Sequence, residues 1–490
     1  MVFLRNLLQN KTIRSAVFTS PLAIIRLGTG FVRSKYAALA LGAAGVGLLS
    51  QANLFFTLLA SVGSLGLVNG LMQRMSYYKE QGNVAELLKV KGTTLIAQLL
   101  TLAILIVPLL FFIGPLNRYL FNTADTAFYA DMFFLLLGIP VSVITSNYIE
   151  GFFTAYSRFD LYVKGSSFAT ILSLLLFFPF VYFWGIHGAI IHIWVNVFIL
   201  FLLFLYYVKK LVDYKDVFVF RFDRTIFNGI FKEGIINLAC AALTSLVALL
   251  IRNKIVHQQG ETENGIYQIV ISITAYYTPF ITNPLWANYF PVLSAKGVTK
   301  ETEHVIHSTL KYAIIASSAV CMIILTIPEL LIRVVASPQF LKAIDYFPLQ
   351  LLGDAWYFIF FIFGIYLLSQ RRVRQYLFIW TVFLVIQYIV AALLIGRLGV
   401  KGAAIAYSSA CLIIGLYALY EFGKLISRKE FVRVLELLGI SFLFLAGLAV
   451  CCLYGGMLVL KVTGLILWGL SLLIFFNYIN IKKFKGKTDG

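Results

Sequence analysis

The chain has 490 residues, of which 60% are hydrophobic and only 12% charged, and its formal net charge is +19. This composition excludes an ordinary soluble protein, because long apolar runs with few charges are typical of membrane-spanning helices. It also argues against nucleic-acid binding, since basic cytoplasmic loops account for the positive charge and no extramembrane stretch interleaves basic and aromatic residues. The five cysteines lie in apolar runs without metal-ligand spacing, so we predict no metal site, no cofactor and no disulfide.

The apolar runs predict an all-α integral membrane protein with about fourteen transmembrane helices. The first run resembles a signal peptide at Ala38–Ala40, but Arg26, Arg33 and Lys35 interrupt it, so we predict a retained helix. The predicted spans are 12–36, 41–72, 92–114, 126–156, 162–184, 187–209, 227–252, 264–294, 306–332, 341–369, 374–396, 400–424, 434–458 and 462–481. The prolines of the span 264–294 predict bends in that helix.

The distribution of lysine and arginine predicts the orientation of these helices. With a cytoplasmic N-terminus and alternating spans, the cytoplasmic segments hold about three times as many basic residues as the opposite side, as the positive-inside rule requires. Both termini are therefore predicted to lie in the cytoplasm, and residues 482–490 to form a basic cytoplasmic tail.

Two halves of the chain repeat each other. Arg33–Lys35 recurs as Arg252–Lys254 after 219 residues, and Gly185–Ala189 recurs as Gly399–Ala403 after 214 residues. Because each half has six helices, an even number, both halves enter the membrane from the same side and form a parallel repeat. The repeat predicts a six-helix N-terminal lobe at 1–210, a cytoplasmic linker at 211–226, a pseudo-symmetric six-helix lobe at 227–425 and an additional helix pair at 433–481.

The repeated basic residues are candidate substrate ligands. A duplicated bundle with cations in equivalent places is typical of a transporter with a central anion-binding cavity. Arginine offers a two-pronged donor to phosphate and lysine a point charge, so convergent cations would suit a pyrophosphate. The alternative for those near helix ends is contact with lipid headgroups. The candidate cavity cations are Arg26, Arg33, Lys35, Arg252 and Lys254.

Four further polar residues lie within predicted spans. Asn69 and Asn288 share the 219-residue offset and could bind sugar hydroxyls in the cavity or hold helices together. Glu150 and Asp354 could each carry a proton or sodium ion for coupling, or act as the counter-ion of Arg26.

The segment Lys35–Gln51 contains Leu-Gly-Ala-Ala-Gly-Val-Gly after a basic first helix. It resembles the start of the Wzx-type O-antigen and polysaccharide flippases of the multidrug/oligosaccharidyl-lipid/polysaccharide exporter (MOP) superfamily. Gly265–Tyr267 and the two Gly-x-x-Gly-Ala turns are also similar to that family. The resemblance covers about residues 10–425.

This resemblance implies a two-lobed bundle that works by alternating access in the bacterial inner membrane. Its cargo would be an undecaprenyl-diphosphate-linked oligosaccharide, moved from the cytoplasmic to the periplasmic leaflet, and the five candidate cations would line its cavity. Many family members have twelve helices, so the additional pair departs from the commonest pattern. In related lipid-flipping branches such a pair helps to form a groove for the lipid tail.

Two other functions remain open at this stage. A drug/cation antiporter of the same fold would need an acidic cavity, whereas the first helix offers arginine. A membrane polysaccharide polymerase or ligase usually has a large periplasmic loop, and no Walker A motif, zinc motif, nucleophile elbow or paired catalytic carboxylates are visible in the sequence. We therefore predict a transporter rather than an enzyme.

Overall fold

The fold was analysed in a computed structural model that describes residues 11–122, 125–296, 299–454 and 457–488. These residues form helices joined by short turns, and no strand occurs among them, which confirms the all-α prediction. The chain divides into two compact units, Met1–Gly265 and Ile266–Gly490.

Unit 1 is built from long apolar helices around two buried clusters of leucine, phenylalanine and other apolar side chains. A π-helical turn at Ile144–Ile149 joins two of its helices. The helices are α1 (Lys11–Ala40), α2 (Gly42–Gly63), α3 (Val68–Glu80), α4 (Val84–Phe111), α5 (Ile113–Phe121), α6 (Ala127–Val143), α7 (Glu150–Ala155), α8 (Phe159–Val208), α9 (Tyr214–Val217) and α10 (Arg224–Gln259).

The next helix, α11 (Glu261–Pro284), begins in unit 1 and continues into unit 2. Unit 2 also contains a π-helical turn at Leu285–Tyr289 and a 3-10 turn at Pro338–Asp345. Its remaining helices are α12 (Phe290–Lys296), α13 (Lys300–Thr326), α14 (Pro328–Val335), α15 (Phe347–Ser369), α16 (Val373–Leu398), α17 (Val400–Gly423), α18 (Arg428–Leu453) and α19 (Leu458–Thr488).

Within the described residues, eleven helical segments are long and apolar enough to cross a membrane, so the chain is a multi-pass membrane protein. The predicted number of about fourteen is approximate. The segment Asp160–Val208 counts once although it covers two predicted spans, and the predicted spans that correspond to α1 and α11 are not among the eleven.

The two Gly-x-x-Gly-Ala turns have the same backbone geometry in the two units. Gly185 has φ 54° and ψ −128°, and Gly399 has φ 59° and ψ −140°, which are left-handed conformations that favour glycine. A Cβ atom on Gly188 would lie 1.9 Å from the carbonyl oxygen of Phe180, so the chain also passes too closely for a side chain. Both observations give these glycines a structural role.

The segment predicted as an interlobe linker, 211–226, is attached to unit 1. Lys91 Nζ donates a hydrogen bond to the carbonyl oxygen of Asp216 at 3.0 Å, and the hydroxyl of Tyr148 donates to the carbonyl of Val217. The backbone N–H of Asp223 donates to Thr93 Oγ1 at 2.9 Å. Helix α10 then packs against α2, α3 and α4, so the compact unit ends later than the first repeat.

The additional helix pair α18–α19 packs on unit 2. Helix α18 lies along α13 and buries an apolar stripe that includes Val434, Leu437 and Leu445. At its start, Glu430 Oε2 lies 2.7 Å from His307 Nε2, and the N–H of Ser427 donates to Glu303 Oε1 at 2.5 Å. The pair is therefore held by an apolar stripe and by polar contacts at one end.

Candidate anion-binding site

A cavity of about 240 Å³ lies inside unit 1, between α1 and the two segments of α8. Helix α1 contributes residues at positions i, i+3, i+4 and i+7, which share one face of a helix. The lining residues are Arg26, Thr29, Gly30, Arg33, Thr170, Ser173, Leu174 and Asn196. Two arginines and several hydroxyl or amide side chains thus surround a space of small-ligand dimensions.

Helix α8 presents a stripe of hydroxyl side chains to Arg26 and Arg33. Its members are four, four and three residues apart, so they follow one face of the helix. We define the hydroxyl stripe as Tyr162, Ser166, Thr170 and Ser173. The sequence analysis did not identify it, although its helical spacing was visible.

Arg26 is anchored at one end of this stripe. Its Nη2 atom donates to Ser166 Oγ at 2.7 Å and to the hydroxyl of Tyr162 at 3.3 Å. The half-buried side chain of Glu150 lies close enough to Tyr162 and Arg26 to interact electrostatically with both. Arg26 therefore lines the cavity with the carboxyl group of Glu150 nearby. Its role as a cavity cation and its alternative role as the partner of an acid both stay predictions.

Arg33 lies two helical turns further along α1 and is exposed in the cavity. Its guanidinium carbon is 6.0 Å from the ring centroid of Phe177, within the range of a cation–π contact. Ser173 belongs to the cavity lining, and buried His192 lies behind it, with its Nε2 atom 2.8 Å from the carbonyl oxygen of Ser173. The wall near Arg33 is thus fixed by packing from α8.

Arg252 has a different environment. It is only 5% exposed, and its Nη1 atom donates to the carbonyl oxygen and to Oδ1 of Asn264, at 2.9 and 2.8 Å. Asn264 Nδ2 in turn donates to the carbonyl oxygen of Gly47 at 3.0 Å. Arg252 therefore holds α10, the start of α11 and α2 together, and it does not line the cavity with Arg26 and Arg33.

We expect Arg252→Ala to reduce stability rather than ligand binding alone. The substitution leaves two buried oxygen atoms of Asn264 without this donor, which costs about 1–3 kcal/mol for each group. Thermal unfolding of the detergent-solubilised protein should shift down by several degrees. Arg397→Ala, at an exposed position on α16, is the matched control and should leave Tm unchanged. An unchanged Tm for Arg252→Ala would contradict the structural role.

The other predicted cations and amides do not line this cavity. Lys35 and Lys254 are half-buried on α1 and α10. Asn69 is exposed on α3. Asn288 is exposed in unit 2, where its Nδ2 atom donates to the carbonyl oxygen of Pro284 at 3.1 Å and its side chain borders a separate cavity.

Asp354 is buried in unit 2, where it is 1% exposed. The hydroxyls of Tyr277 and Thr274 donate to its Oδ2 atom, and the hydroxyl of Tyr407 donates to Oδ1 at 2.8 Å. Three hydroxyl donors thus satisfy this carboxyl group.

One further acid–base pair was not found from the sequence. Asp131 on α6 is buried, and its Oδ2 atom lies 2.6 Å from Nδ1 of His187, which directly follows the turn at Gly185. The two residues are 56 positions apart, so no local spacing connects them. Among the described residues, no group of three or more His, Cys, Asp or Glu side chains is arranged to hold a metal ion.

Comparison with known proteins gives no matching protein-family model. Over 405 residues, the chain is 21% identical to the Lipid III flippase of Escherichia coli (strain K12). The alignment covers 82% of this chain and 95% of that protein. The Lipid III flippase of Shigella flexneri matches to the same extent.

Solved structures with the same architecture include the lipid II flippase MurJ in an inward closed conformation. This match has a TM-score of 0.63 at 15% identity and covers 96% of this chain and 100% of that chain. An inward-facing multidrug resistance MATE transporter of the MOP superfamily gives a TM-score of 0.62 at 16% identity, over 82% of this chain and 98% of that chain. This chain has the MOP-superfamily fold.

The predicted resemblance to the MOP superfamily is confirmed in the fold, and the matching proteins named above are flippases or transporters. A MOP-superfamily transporter from Pyrococcus furiosus also has a similar fold, with a TM-score of 0.60 at 16% identity, over 86% of this chain and 98% of that chain. That transporter is described as having a binding pocket of reversed polarity. The MurJ match leaves at most a few per cent of this chain uncovered and so extends into the pair α18–α19.

Proposed function

We propose that this chain flips an undecaprenyl-diphosphate-linked oligosaccharide, an O-antigen or similar surface polysaccharide repeat unit, from the cytoplasmic to the periplasmic leaflet. It would work by alternating access in the bacterial inner membrane, with both termini in the cytoplasm. The observation that carries this proposal is the cavity lined by Arg26, Arg33 and two members of the hydroxyl stripe, Thr170 and Ser173. The Lipid III flippases that match 82% of the chain support the substrate class.

The two arginines suit a diphosphate. Residues 26 and 33 are seven positions apart on α1, which corresponds to about 10.5 Å along the helix axis. Each guanidinium group can reach toward the space between them and donate two hydrogen bonds to phosphate oxygens. Thr170 and Ser173 on the opposite wall supply further hydroxyl donors. Charge compensation at this point would lower the cost of holding a diphosphate away from water.

Glu150 lies close enough to Arg26 for their charges to attract each other. The hydroxyls of Tyr162 and Ser166 on α8 both accept hydrogen bonds from Nη2 of Arg26. A diphosphate bound at Arg26 would compete with this attraction. This exchange offers a way for substrate binding to change the charge state around Glu150, so we retain Glu150 as a candidate for proton or sodium coupling.

Asp354 is the second coupling candidate. Burying a carboxylate within a membrane protein is costly, and such residues commonly take part in ion or proton pathways. Its three hydroxyl donors would stabilise the ionised form when a coupling ion leaves.

A drug/cation antiporter is the alternative with the same fold, because MATE transporters are among the structural neighbours. A cationic drug would meet two arginines in the cavity of unit 1, which disfavours its binding by like-charge repulsion. This repulsion favours the flippase over the antiporter.

The proposal is tested by mass spectrometry of undecaprenyl-diphosphate-linked oligosaccharides in cells that lack this protein. We expect a completed repeat unit to accumulate and surface polysaccharide to be lost, because synthesis continues in the cytoplasmic leaflet while transfer stops. Complemented cells are the control and should restore both. An unchanged lipid pool with intact surface glycan would contradict the flippase function, and drug-resistance profiles would then test the antiporter.

A further inference from the structure

Residues 209–224 of unit 1 connect two membrane-spanning segments. The preceding span ends at Val208, and the next one begins at Arg224. A helix that crosses the hydrocarbon core emerges at its ends into the headgroup region, so the chain between these two ends lies at a membrane surface. We call residues 209–224 the surface segment.

The surface segment is fixed on unit 1. Besides its hydrogen bonds with Lys91, Tyr148 and Thr93, its chain lies directly on the backbone of α4. A Cβ atom on Gly92 would lie 2.5 Å from the carbonyl oxygen of Arg221 and 2.6 Å from its backbone nitrogen. Only glycine permits so close an approach. The outward side chains of the surface segment therefore keep a defined place on the protein.

Positive charge predominates on this surface. Two of the three acids are already engaged: Asp223 caps α10 by accepting two backbone N–H groups at 2.8 and 3.0 Å, and Asp216 interacts electrostatically with buried Lys91. The third acid is Asp213. Among the described residues, no carboxylate forms a salt bridge with the five basic side chains, all of which are exposed: Lys209, Lys210, Lys215, Arg221 and Arg224.

Exposed aromatic side chains accompany these cations. Phe220 and Phe222, on either side of Arg221, are 69% and 51% exposed. Nζ of Lys210 lies 4.9 Å from the ring centroid of Tyr206, within the range of a cation–π contact. Aromatic rings combined with basic side chains are typical of the membrane–water interface, where the rings are partly withdrawn from water and the cations reach phosphate groups.

We propose that the surface segment binds the headgroups of anionic phospholipids in the membrane around the protein. The inference does not depend on the proposed function. Cations near an anionic leaflet gain a net electrostatic attraction, which a zwitterionic headgroup does not provide. Phe220 and Phe222 would enter the boundary between headgroups and acyl chains, an environment that a free phosphate compound does not offer. Charge and exposed apolar surface thus both match a lipid surface.

Native mass spectrometry of the full-length, detergent-solubilised protein tests this proposal. The probes are phosphatidylglycerol and phosphatidylcholine with the same acyl chains, added at equal concentrations. We expect the wild type to retain phosphatidylglycerol in preference to phosphatidylcholine. Replacing Lys210 and Arg221 together with glutamine should reduce that preference roughly twentyfold, because each cation near an anionic surface contributes about fivefold to binding. Retention of phosphatidylcholine should be unchanged.

The matched control replaces Arg428 and Lys429 together with glutamine. These two exposed cations lie at the start of another membrane-spanning helix, α18, and their loss should leave the preference intact. An equal loss in the two double variants would overturn the proposal, because the attraction would then come from the total charge of the protein. Equal retention of both lipids by the wild type would also overturn it and would favour a protein partner for the exposed phenylalanines.

Glycerol 1-phosphate distinguishes a lipid from a soluble phosphate compound. It carries a phosphate group without acyl chains, so we expect it not to displace phosphatidylglycerol from the wild type at equal concentration. Displacement under these conditions would overturn the membrane as the partner of the surface segment.

Discussion

Replacing Arg26 and Arg33 together with alanine is expected to abolish export of the lipid-linked glycan. These are the two cations of the cavity in unit 1, and each can form charge-assisted hydrogen bonds with a phosphate. One such bond contributes about 1.5–3 kcal/mol, so loss of both arginines should weaken binding of undecaprenyl diphosphate by at least about a hundredfold.

Binding of undecaprenyl diphosphate to the purified variant and surface glycan in cells are the two measurements. Arg397→Ala is the matched control, because Arg397 is an exposed arginine on α16 in unit 2 and lies outside the cavity. The double lysine variant should retain part of the affinity, since lysine keeps the charge and loses the two-pronged geometry. Normal export and normal binding by the double alanine variant, at wild-type abundance in the membrane, would refute the diphosphate site.

The cations of α1 could be identified from the sequence because charge within an apolar run is costly and therefore conspicuous. Their partners were harder to identify. Tyr162, Ser166, Thr170 and Ser173 are common helix residues one by one, and only their shared spacing along α8 marks a polar face. A search for that spacing would have found the opposite wall of the cavity from sequence alone.

Arg252 illustrates what a repeat cannot predict. The offset of 219 residues relates Arg33 and Arg252 as equivalent sequence positions, but it carries no information on what surrounds them. Arg33 is exposed in a cavity, whereas the backbone and side chain of Asn264 enclose Arg252. Long-range packing decides between the two environments, and it is not encoded in the local pattern.

The fold itself was more predictable. Hydropathy identified the helices, although several of their ends differ from the prediction: the span predicted at 92–114 begins at Val84, and the span predicted at 41–72 contains a helix that ends at Gly63 and a second one that begins at Val68. The glycines at 185 and 399 lie at breaks between successive helices. The π-helical turns and the attachment of the linker to Lys91 and Thr93 were not predicted. The π-helical turns depend on local backbone hydrogen bonding, and the attachment of the linker depends on single hydrogen bonds between distant segments. Hydropathy is insensitive to both.

A large loss of stability is expected from adding one methyl group at Gly265. An ideal Cβ atom there would lie 1.8 Å from the carbonyl oxygen of Ala43 and 2.9 Å from the backbone nitrogen of Gly47. A Cβ atom on Gly47 would likewise lie 2.2 Å from the carbonyl oxygen of Glu261. The backbones of α2 and the start of α11 are thus in direct contact, as small residues permit between membrane helices.

Gly265→Ala should therefore lower Tm by several degrees and reduce the amount of protein in the membrane. An exposed glycine-to-alanine change within a helix normally stabilises it by about 1 kcal/mol, so the expected sign is set by the steric clash, which costs about 1–3 kcal/mol or more. Gly439→Ala on α18 is the matched control, because its added Cβ would meet no atom within 4 Å. An equal Tm for Gly265→Ala and Gly439→Ala would mean that α2 and the start of α11 do not approach each other this closely. The hydrogen bond from Asn264 to Gly47, which positions the partner of Arg252, would then not form either.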